Sequence, residues 1–146
     1  MMELDRPDGG RPFDDPDASL GESLEFPEGL PGFEACRHFA LVPSGPIAPL
    51  QFLHAIDGPP AAFLTIDPAL VLRGYRREIR DRDRARLGCE DEAKLLWRAV
   101  VALDADGSAW VNLRAPIVVN PARLIGFQLM PKDAIYPLRQ PLMAAK

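Results

Sequence analysis

Apolar residues recur at every second position in several short runs of this chain, which is the spacing of β-strands and not of helices. The clearest run covers residues 94–103, where one alternate set is wholly apolar and the other is mixed. The apolar set is Leu95, Trp97, Ala99, Val101 and Leu103. Turn residues follow at Asp104-Ala105-Asp106-Gly107, and residues 109–113 are again apolar. The two runs together predict a β-hairpin.

Further apolar runs alternate with turns rich in Pro and Gly. The additional predicted strands cover residues 37–42, 50–56, 61–66, 73–79, 117–119 and 124–130. A short helix is predicted at residues 81–87, because Gly88 follows in the position that a helix C-cap prefers. Many short strands with frequent turns are typical of a small antiparallel barrel or sandwich. We therefore predict a mainly β, barrel-like antiparallel single domain with one or two short helices.

The N-terminal segment differs from the rest of the chain. Residues 1–23 are rich in Pro, Gly and Asp, so we expect a disordered tail there and one domain over residues 24–146. Residues 1–28 hold nine acidic residues and two arginines, a net charge of −7, and the remainder carries +3 of the total −4. The N-terminus is therefore acidic where a secretory signal would be basic, and no apolar run approaches the roughly 20 residues that span a bilayer. We expect a cytoplasmic protein without membrane contact.

Seven arginines crowd into residues 73–86, accompanied by Tyr75 and three acidic residues. Arginines beside an exposed aromatic residue could bind RNA by phosphate contact and base stacking. The same residues could instead form a solvated face with local ion pairs such as Asp81 with Arg84, or a docking face for an acidic protein. Net charge −4 and a pI near 5.2 are unlike those of a dedicated RNA-binding protein. We expect no direct nucleic-acid binding and keep an RNA-binding barrel as the alternative.

Residues able to carry catalysis are few. Cys36 and Cys89 share no metal-ligand spacing with each other or with a histidine, so we interpret both as reduced packing residues. His38 and His54 lie in predicted strands among apolar residues. The chain contains no Gly-x-Ser-x-Gly elbow, phosphate loop or dinucleotide fingerprint. We expect no catalytic residues, no metal and no cofactor.

Two strings stand apart from this background. The first, Phe26-Pro27-Glu28-Gly29-Leu30-Pro31-Gly32-Phe33, must turn tightly while its apolar side chains stay available for packing. The second, Asn112-Leu113-Arg114-Ala115-Pro116-Ile117-Val118-Val119-Asn120, places a proline before a β-branched run, which suits an edge strand or a bulge. We call them the first string and the second string below.

Both strings occur together with other characteristic segments in a fixed order. Those segments are Phe39-Ala40-Leu41, Pro49-Leu50-Gln51-Phe52-Leu53, Ala62-Phe63-Leu64-Thr65-Ile66-Asp67-Pro68, Gly126-Phe127-Gln128-Leu129 and Tyr136-Pro137-Leu138-Arg139-Gln140-Pro141-Leu142. Over residues 24–142 this arrangement resembles the flagellar assembly factor FliW family. One departure is at the start: the family usually begins with an additional strand, for which residues 1–23 offer only Leu20-Gly21-Glu22-Ser23.

The resemblance implies a small barrel-like cytoplasmic protein without enzymatic activity. Proteins of this family bind flagellin and antagonise CsrA, a dimeric RNA-binding repressor, so that flagellin synthesis is coupled to flagellin export. We therefore expect flagellin and CsrA as partners, and we expect a monomer.

The motif residues divide into structural and partner-contact candidates. Gly29, Pro31, Gly32 and Pro116 are expected to form turns or a bulge, and Phe26, Leu30, Phe33 and Ile117 to lie in the core. Asp67, Pro68, Gly126 and Tyr136 complete the structural set. Polar groups beside apolar strands must satisfy buried backbone or face a partner. The partner-contact candidates are Asn112, Arg114, Pro116, Asn120 and Arg139.

Overall fold

The computed structural model of this chain describes residues 20–43, 49–131 and 135–142. The strands are β1 (Leu20–Glu25), β2 (His38–Pro43), β3 (Gln51–Ala55), β4 (Ala62–Ile66), β5 (Leu96–Leu103), β6 (Ala109–Val111), β7 (Ile117–Asn120), β8 (Ile125–Gln128) and β9 (Gln140–Pro141). The helices are α1 (Pro68–Val71), α2 (Asp81–Leu87) and a 3-10 helix at Glu92–Lys94. In this part of the chain, no helix has the length and apolar character needed to cross a membrane.

Seven strands close into a ring in the order β1-β2-β3-β4-β5-β7-β8. Pairing of β4 with β5, from Leu64 beside Val101 to Ile66 beside Ala99, completes the ring on one side. β1 and β8 meet in a parallel pair at Glu25 and Ile125, and the other pairs are antiparallel. β6 and β9 continue the sheet from β5 outside the ring. The predicted mainly β, barrel-like fold is confirmed.

Side chains from most strands of the ring fill its interior. The buried interior cluster comprises Leu24, Phe26, Leu30, Cys36, Phe39, Leu41, Leu53, Ile117 and Val119. Leu96 and Val100 of β5 pack against this cluster, so it is the mixed alternate set of β5 that faces inward. Between them Arg98 donates hydrogen bonds to Oγ1 and to the backbone oxygen of Thr65, both at 3.0 Å. Burial lowers the pKa of Arg98 to about 10.

The wholly apolar set of β5 packs on the outer surface of the ring. Trp97 belongs to a cluster with Leu87 of α2, and Ala99 and Val101 belong to another that contacts Val71 of α1. Leu103, which ends the set, is 66% exposed. β5 is therefore buried on both faces because short helices and extended segments cover the outside of the ring.

The predicted local elements are mostly present. The strands predicted near β2, β3, β4, β7 and β8 and the hairpin of β5 with β6 are confirmed to within a few residues. The helix predicted at residues 81–87 is confirmed as α2, and Gly88 ends it in the left-handed conformation with φ 64°.

The strand predicted for residues 73–79 is wrong. After Gly74, which turns with φ 80°, the chain runs across the outside of the ring without joining a β-ladder. Its alternating Tyr75 and Ile79 pack on the outer cluster around Trp97, which accounts for the strand-like pattern. The backbone N–H of Arg76 donates to the hydroxyl of Tyr136 at 2.9 Å in place of a ladder partner.

The first strand begins earlier than the predicted domain. β1 starts at Leu20, which pairs with Leu41, although residues 20–23 were expected to belong to the tail. The rest of that expected tail, residues 1–19, lies outside the described residues, as do residues 44–48, 132–134 and 143–146.

Candidate functional site

The first string forms a compact turn after β1. Gly29 has φ 64° and its N–H donates to the backbone oxygen of Phe26 at 2.8 Å. A Cβ atom at Gly29 would lie 2.7 Å from the Cα atom of Glu34, so the close approach of two backbone segments requires glycine here. Phe26 and Leu30 are buried at 0% and 3% exposure. The turn therefore anchors the string in the ring interior.

Three other residues of the first string lie at the surface. Pro31 and Gly32 are exposed, and Gly32 has φ 83°. The expectation that Phe33 lies in the core needs correction, because Phe33 is 40% exposed and packs edge-to-face on Phe63 with the ring centroids 5.0 Å apart. The string thus has an internal anchor and an external apolar tip.

The second string begins with a side-chain-stabilised turn. Oδ1 of Asn112 accepts hydrogen bonds from the backbone N–H groups of Arg114 at 3.0 Å and Ala115 at 3.1 Å. Pro116 is buried between this turn and β7, and its carbonyl accepts from the N–H of Leu129 at 2.8 Å. Pro116 therefore precedes a ring strand and does not offer a free edge at its own position.

Asn120, at the end of the second string, is 6% exposed. Its Nδ2 donates to the backbone oxygen of Leu87 at 2.8 Å, which satisfies a carbonyl at the end of α2, and its Oδ1 accepts from the N–H of Ala122 at 3.1 Å. These bonds give the buried Asn120 side chain a structural role.

The remaining structural candidates hold neighbouring segments in place. Asp67 caps α1 by accepting from the N–H of Ala69 at 2.9 Å, and Pro68 occupies the first turn of the helix. A Cβ atom at Gly126 would lie 2.7 Å from the ring of Phe26. Ile117 is fully buried at 0% exposure. These residues act within the fold.

Tyr136 joins the C-terminal segment to the second string. Its ring lies 4.6 Å from that of Tyr75, and its backbone oxygen accepts from Nε of Arg114 at 3.0 Å. The Tyr75 hydroxyl donates to the backbone oxygen of Leu113 at 3.1 Å, and burial raises the pKa of Tyr75 to about 12. Tyr75 therefore stays protonated at neutral pH, and Tyr136 holds Arg114 in place through its backbone oxygen.

Residues from five of the characteristic segments meet at one open groove of about 380 Å³, which we call the main groove. The first string contributes Leu30 and Pro31, and the second contributes Asn112, Arg114 and Ala115. The other described lining residues are Phe63, Val100, Gln128, Met130, Pro131 and Leu138. Met130 and Leu138 are 54% and 52% exposed, so the groove has an accessible apolar surface. Sequence reasoning missed Met130, although it lies directly after the Gly126-Phe127-Gln128-Leu129 segment.

A second cavity of about 320 Å³ adjoins the main groove and shares Pro31, Gln128 and Met130 with it. Its other described lining residues are Glu28, Gly29, Glu34, Arg80, Arg82, Asp83 and Arg86. Both signs of charge are therefore present there, in contrast to the main groove.

Most arginines in residues 73–86 are paired with nearby acidic side chains. Five of the seven arginines in residues 73–86 form ion pairs with carboxylates of the described residues. These arginines are Arg76, Arg77, Arg80, Arg84 and Arg86. Arg86 contacts Asp83 at 2.9 Å and Glu28 at 2.5 Å and lies over the Phe127 ring at 4.3 Å. The segment is therefore a locally neutralised surface.

Arg139 lies on the β6–β9 extension and does not line the main groove. Its guanidinium stacks 4.4 Å above the Trp110 ring and lies 3.5 Å from a carboxylate oxygen of Asp104. The partner-contact candidates thus separate: Asn112 and Arg114 line the groove, Arg139 lies on another exposed surface, and Pro116 and Asn120 are buried.

Histidines and cysteines do not converge on a reactive site. His38 pairs with Asp57 through Nδ1 at 2.7 Å, and that hydrogen bond lowers the pKa of Asp57. Cys36 and Cys89 are both free, and Cys36 packs in the ring interior. Among the described residues, no group of three or more His, Cys, Asp or Glu side chains could hold a metal ion.

Comparison with known proteins gives a consistent result. The family model described as "FliW protein" matches residues 12–142. The flagellar assembly factor FliW of Carboxydothermus hydrogenoformans is 33% identical over 92% of this chain and 87% of its own length. That of Moorella thermoacetica is 35% identical over 82% of this chain and 77% of its own length. A crystal structure of the flagellar assembly factor FliW superposes with a TM-score of 0.76 at 24% identity, covering 85% of this chain and 87% of that one, which establishes a shared fold.

Proposed function

This chain belongs to the FliW family, and from that premise we propose that it acts in flagellar assembly by binding flagellin and antagonising the translational regulator CsrA. In this proposal the protein works in the cytoplasm and by binding alone, and its effect is to couple flagellin synthesis to flagellin export.

One observation carries the proposal. Segments that are far apart in the chain converge on the main groove, and its accessible surface is mostly apolar. An open apolar groove with a few polar groups is suited to a protein segment, because such a segment can bury apolar side chains while its backbone is hydrogen-bonded. The groove therefore supports a binding protein.

Mass action supplies the regulation. If free flagellin occupies this protein, less of it remains for CsrA, and CsrA keeps its target mRNA repressed. When flagellin is exported, the freed protein binds CsrA and the repression ends. The coupling between the two ligands is a single free energy, so each partner must weaken the binding of the other by the same factor.

Calorimetric titration of the purified protein with flagellin and with CsrA from the same genome tests this function. We expect binding to each at micromolar strength or better, about −8 kcal/mol, and competition when both are present. A folded sample that binds neither protein would overturn the proposal.

A further inference from the structure

We propose that the main groove binds a partner segment that combines apolar side chains with one carboxylate, and that Arg114 is the counter-ion of that carboxylate. This inference rests on the proposed function, because it specifies the chemistry of the segment that the groove accepts. It concerns the groove alone and assigns no role to the adjoining charged cavity.

Among the described residues that line the main groove, Arg114 is the only charged one. Nε of Arg114 donates to the Tyr136 backbone oxygen at 3.0 Å, which orients the guanidinium plane. The two terminal nitrogens have no partner among the described residues, and the side chain is exposed. An oriented guanidinium with both terminal nitrogens available fits a carboxylate that accepts two parallel hydrogen bonds.

Two side-chain amides that line the main groove can hydrogen-bond to the backbone of a bound peptide. Oδ1 of Asn112 is engaged by two N–H groups of its own turn, so Nδ2 is the end directed away from that turn. Nε2 of Gln128 donates to the Ala115 oxygen at 2.9 Å, which leaves Oε1 as an acceptor. Neither Nδ2 of Asn112 nor Oε1 of Gln128 has a partner within the described parts of the chain. A donor and an acceptor in one groove complement the C=O and N–H of a peptide.

Apart from Arg114, the exposed side chains on the walls of the main groove are apolar, which suits the apolar side chains of a partner segment. Met130 and Leu138 are 54% and 52% exposed, and both face the same groove. A nucleic acid would meet one arginine there. In the adjoining cavity, Arg80, Arg82 and Arg86 are matched by the carboxylates of Glu28, Glu34 and Asp83, and two of these arginines are already ion-paired with them. Repeated phosphates need several unpaired cations along their path, which these residues do not supply. A protein segment with a single carboxylate matches this distribution of charge.

Charge reversal at Arg114 tests the inference in the full-length protein. Calorimetric titrations with flagellin and with CsrA would compare wild type, Arg114→Glu and the control Lys94→Glu, which changes net charge equally at an exposed position outside the main groove and the adjoining cavity. We expect Arg114→Glu to weaken the binding of at least one partner tenfold or more, Arg114→Lys to weaken it less, and Lys94→Glu to leave it unchanged.

A second pair of variants keeps the inference testable if Arg114→Glu does not fold. Met130→Glu places a carboxylate on the exposed wall and should weaken the same partner, whereas Leu103→Glu, at a residue 66% exposed outside the groove, should not. Thermal unfolding verifies that each variant is folded.

The outcomes separate the two proposals. If wild type binds a partner and both Arg114→Glu and Met130→Glu bind it equally well, the groove inference is overturned while the proposed function stands. If wild type binds neither partner, the proposed function itself fails. Tighter binding by Arg114→Glu, reproduced by deleting residues 1–19, would identify the acidic N-terminal segment of this chain as the occupant and would also overturn the inference.

Discussion

Arg114 in the main groove and Arg86 in the arginine-rich segment both line surface cavities, but their surroundings differ. Arg86 contacts two carboxylates and covers an aromatic ring, whereas Arg114 is held by a single backbone oxygen. The segment with seven arginines is thus mostly neutralised, and the groove with one arginine keeps that charge available. Availability of a charge depends on what surrounds it after folding, and not on how many like charges are near it in sequence.

Removing Asp83 should break the neutralised region most severely. Asp83 is 4% exposed and lies 2.9 Å from Arg86 and 3.5 Å from Arg80. We expect Asp83→Ala to lower the free energy of unfolding by about 3 kcal/mol, because a partly buried guanidinium loses its buried counter-ion. Urea denaturation measures the change.

Asp81 provides the matched control for Asp83. It also pairs with an arginine three residues later, at 2.7 Å from Arg84, but its side chain is 97% exposed. Asp81→Ala should leave stability unchanged within error, since exposed ion pairs contribute little. Equal losses for the two variants would show that burial does not set the strength of these pairs.

Variants of the two asparagines of the second string distinguish a role in folding stability from a role in partner binding at the main groove. Asn120→Ala should lower the free energy of unfolding by about 2 kcal/mol, because the buried carbonyl of Leu87 loses its donor at 2.8 Å. Partner affinity should not change in the folded variant.

Asn112→Ala should show the opposite balance. Loss of its turn hydrogen bonds should lower stability by about 1 kcal/mol, and loss of Nδ2 should weaken partner binding. Denaturation and calorimetry on both variants check this. A selective binding defect in Asn120→Ala, without loss of stability, would contradict the assignment.

These asparagines also show what sequence could and could not predict. Periodicity and turn residues predicted the ring strands, the hairpin and α2, because each is specified by local spacing. The same period-two signal misassigned residues 73–79, since an extended segment packed on the outside of a sheet alternates as a strand does. Asn112 and Asn120 looked equivalent because burial of Asn120 depends on α2, which is distant in sequence. Met130 and Leu138 likewise meet at the main groove only because the ring closes, which local sequence does not reveal.

His38 and Asp57 form a partly exposed hydrogen-bonded pair, with 2.7 Å between Nδ1 and the carboxylate oxygen. The hydrogen bond from His38 lowers the pKa of Asp57 below its ordinary value of 3.8. A carboxyl group with a lower pKa in the folded state stabilises the fold above the unfolded value, and this contribution is lost as pH falls through the folded pKa. We therefore expect Asp57→Asn to lose less stability than wild type when the pH is lowered below about 4.

Acid titration followed by urea denaturation measures the Asp57 effect. Glu90→Gln is the control, because Glu90 is exposed and has no ion-pair partner among the described residues. Identical pH profiles for wild type and Asp57→Asn would show that the pair with His38 contributes nothing to folding stability.

RNA retention should show the smallest effect, because the arginine-rich segment offers few free cations. Only Arg73 and Arg82 of its seven arginines lack an ion-pair partner within the described residues. RNA affinity falls more steeply with salt concentration as the number of phosphate contacts rises. With only two contacts, we expect weak binding that changes little with salt concentration. In a filter assay we expect no more RNA retained by wild type than by the double variant Arg73→Glu with Arg82→Glu, while CsrA retains the same RNA as a positive control. Retention that falls steeply with ionic strength and vanishes in the double variant would restore the RNA-binding alternative, and it would mean that the ion pairs of this segment open when a phosphate backbone approaches.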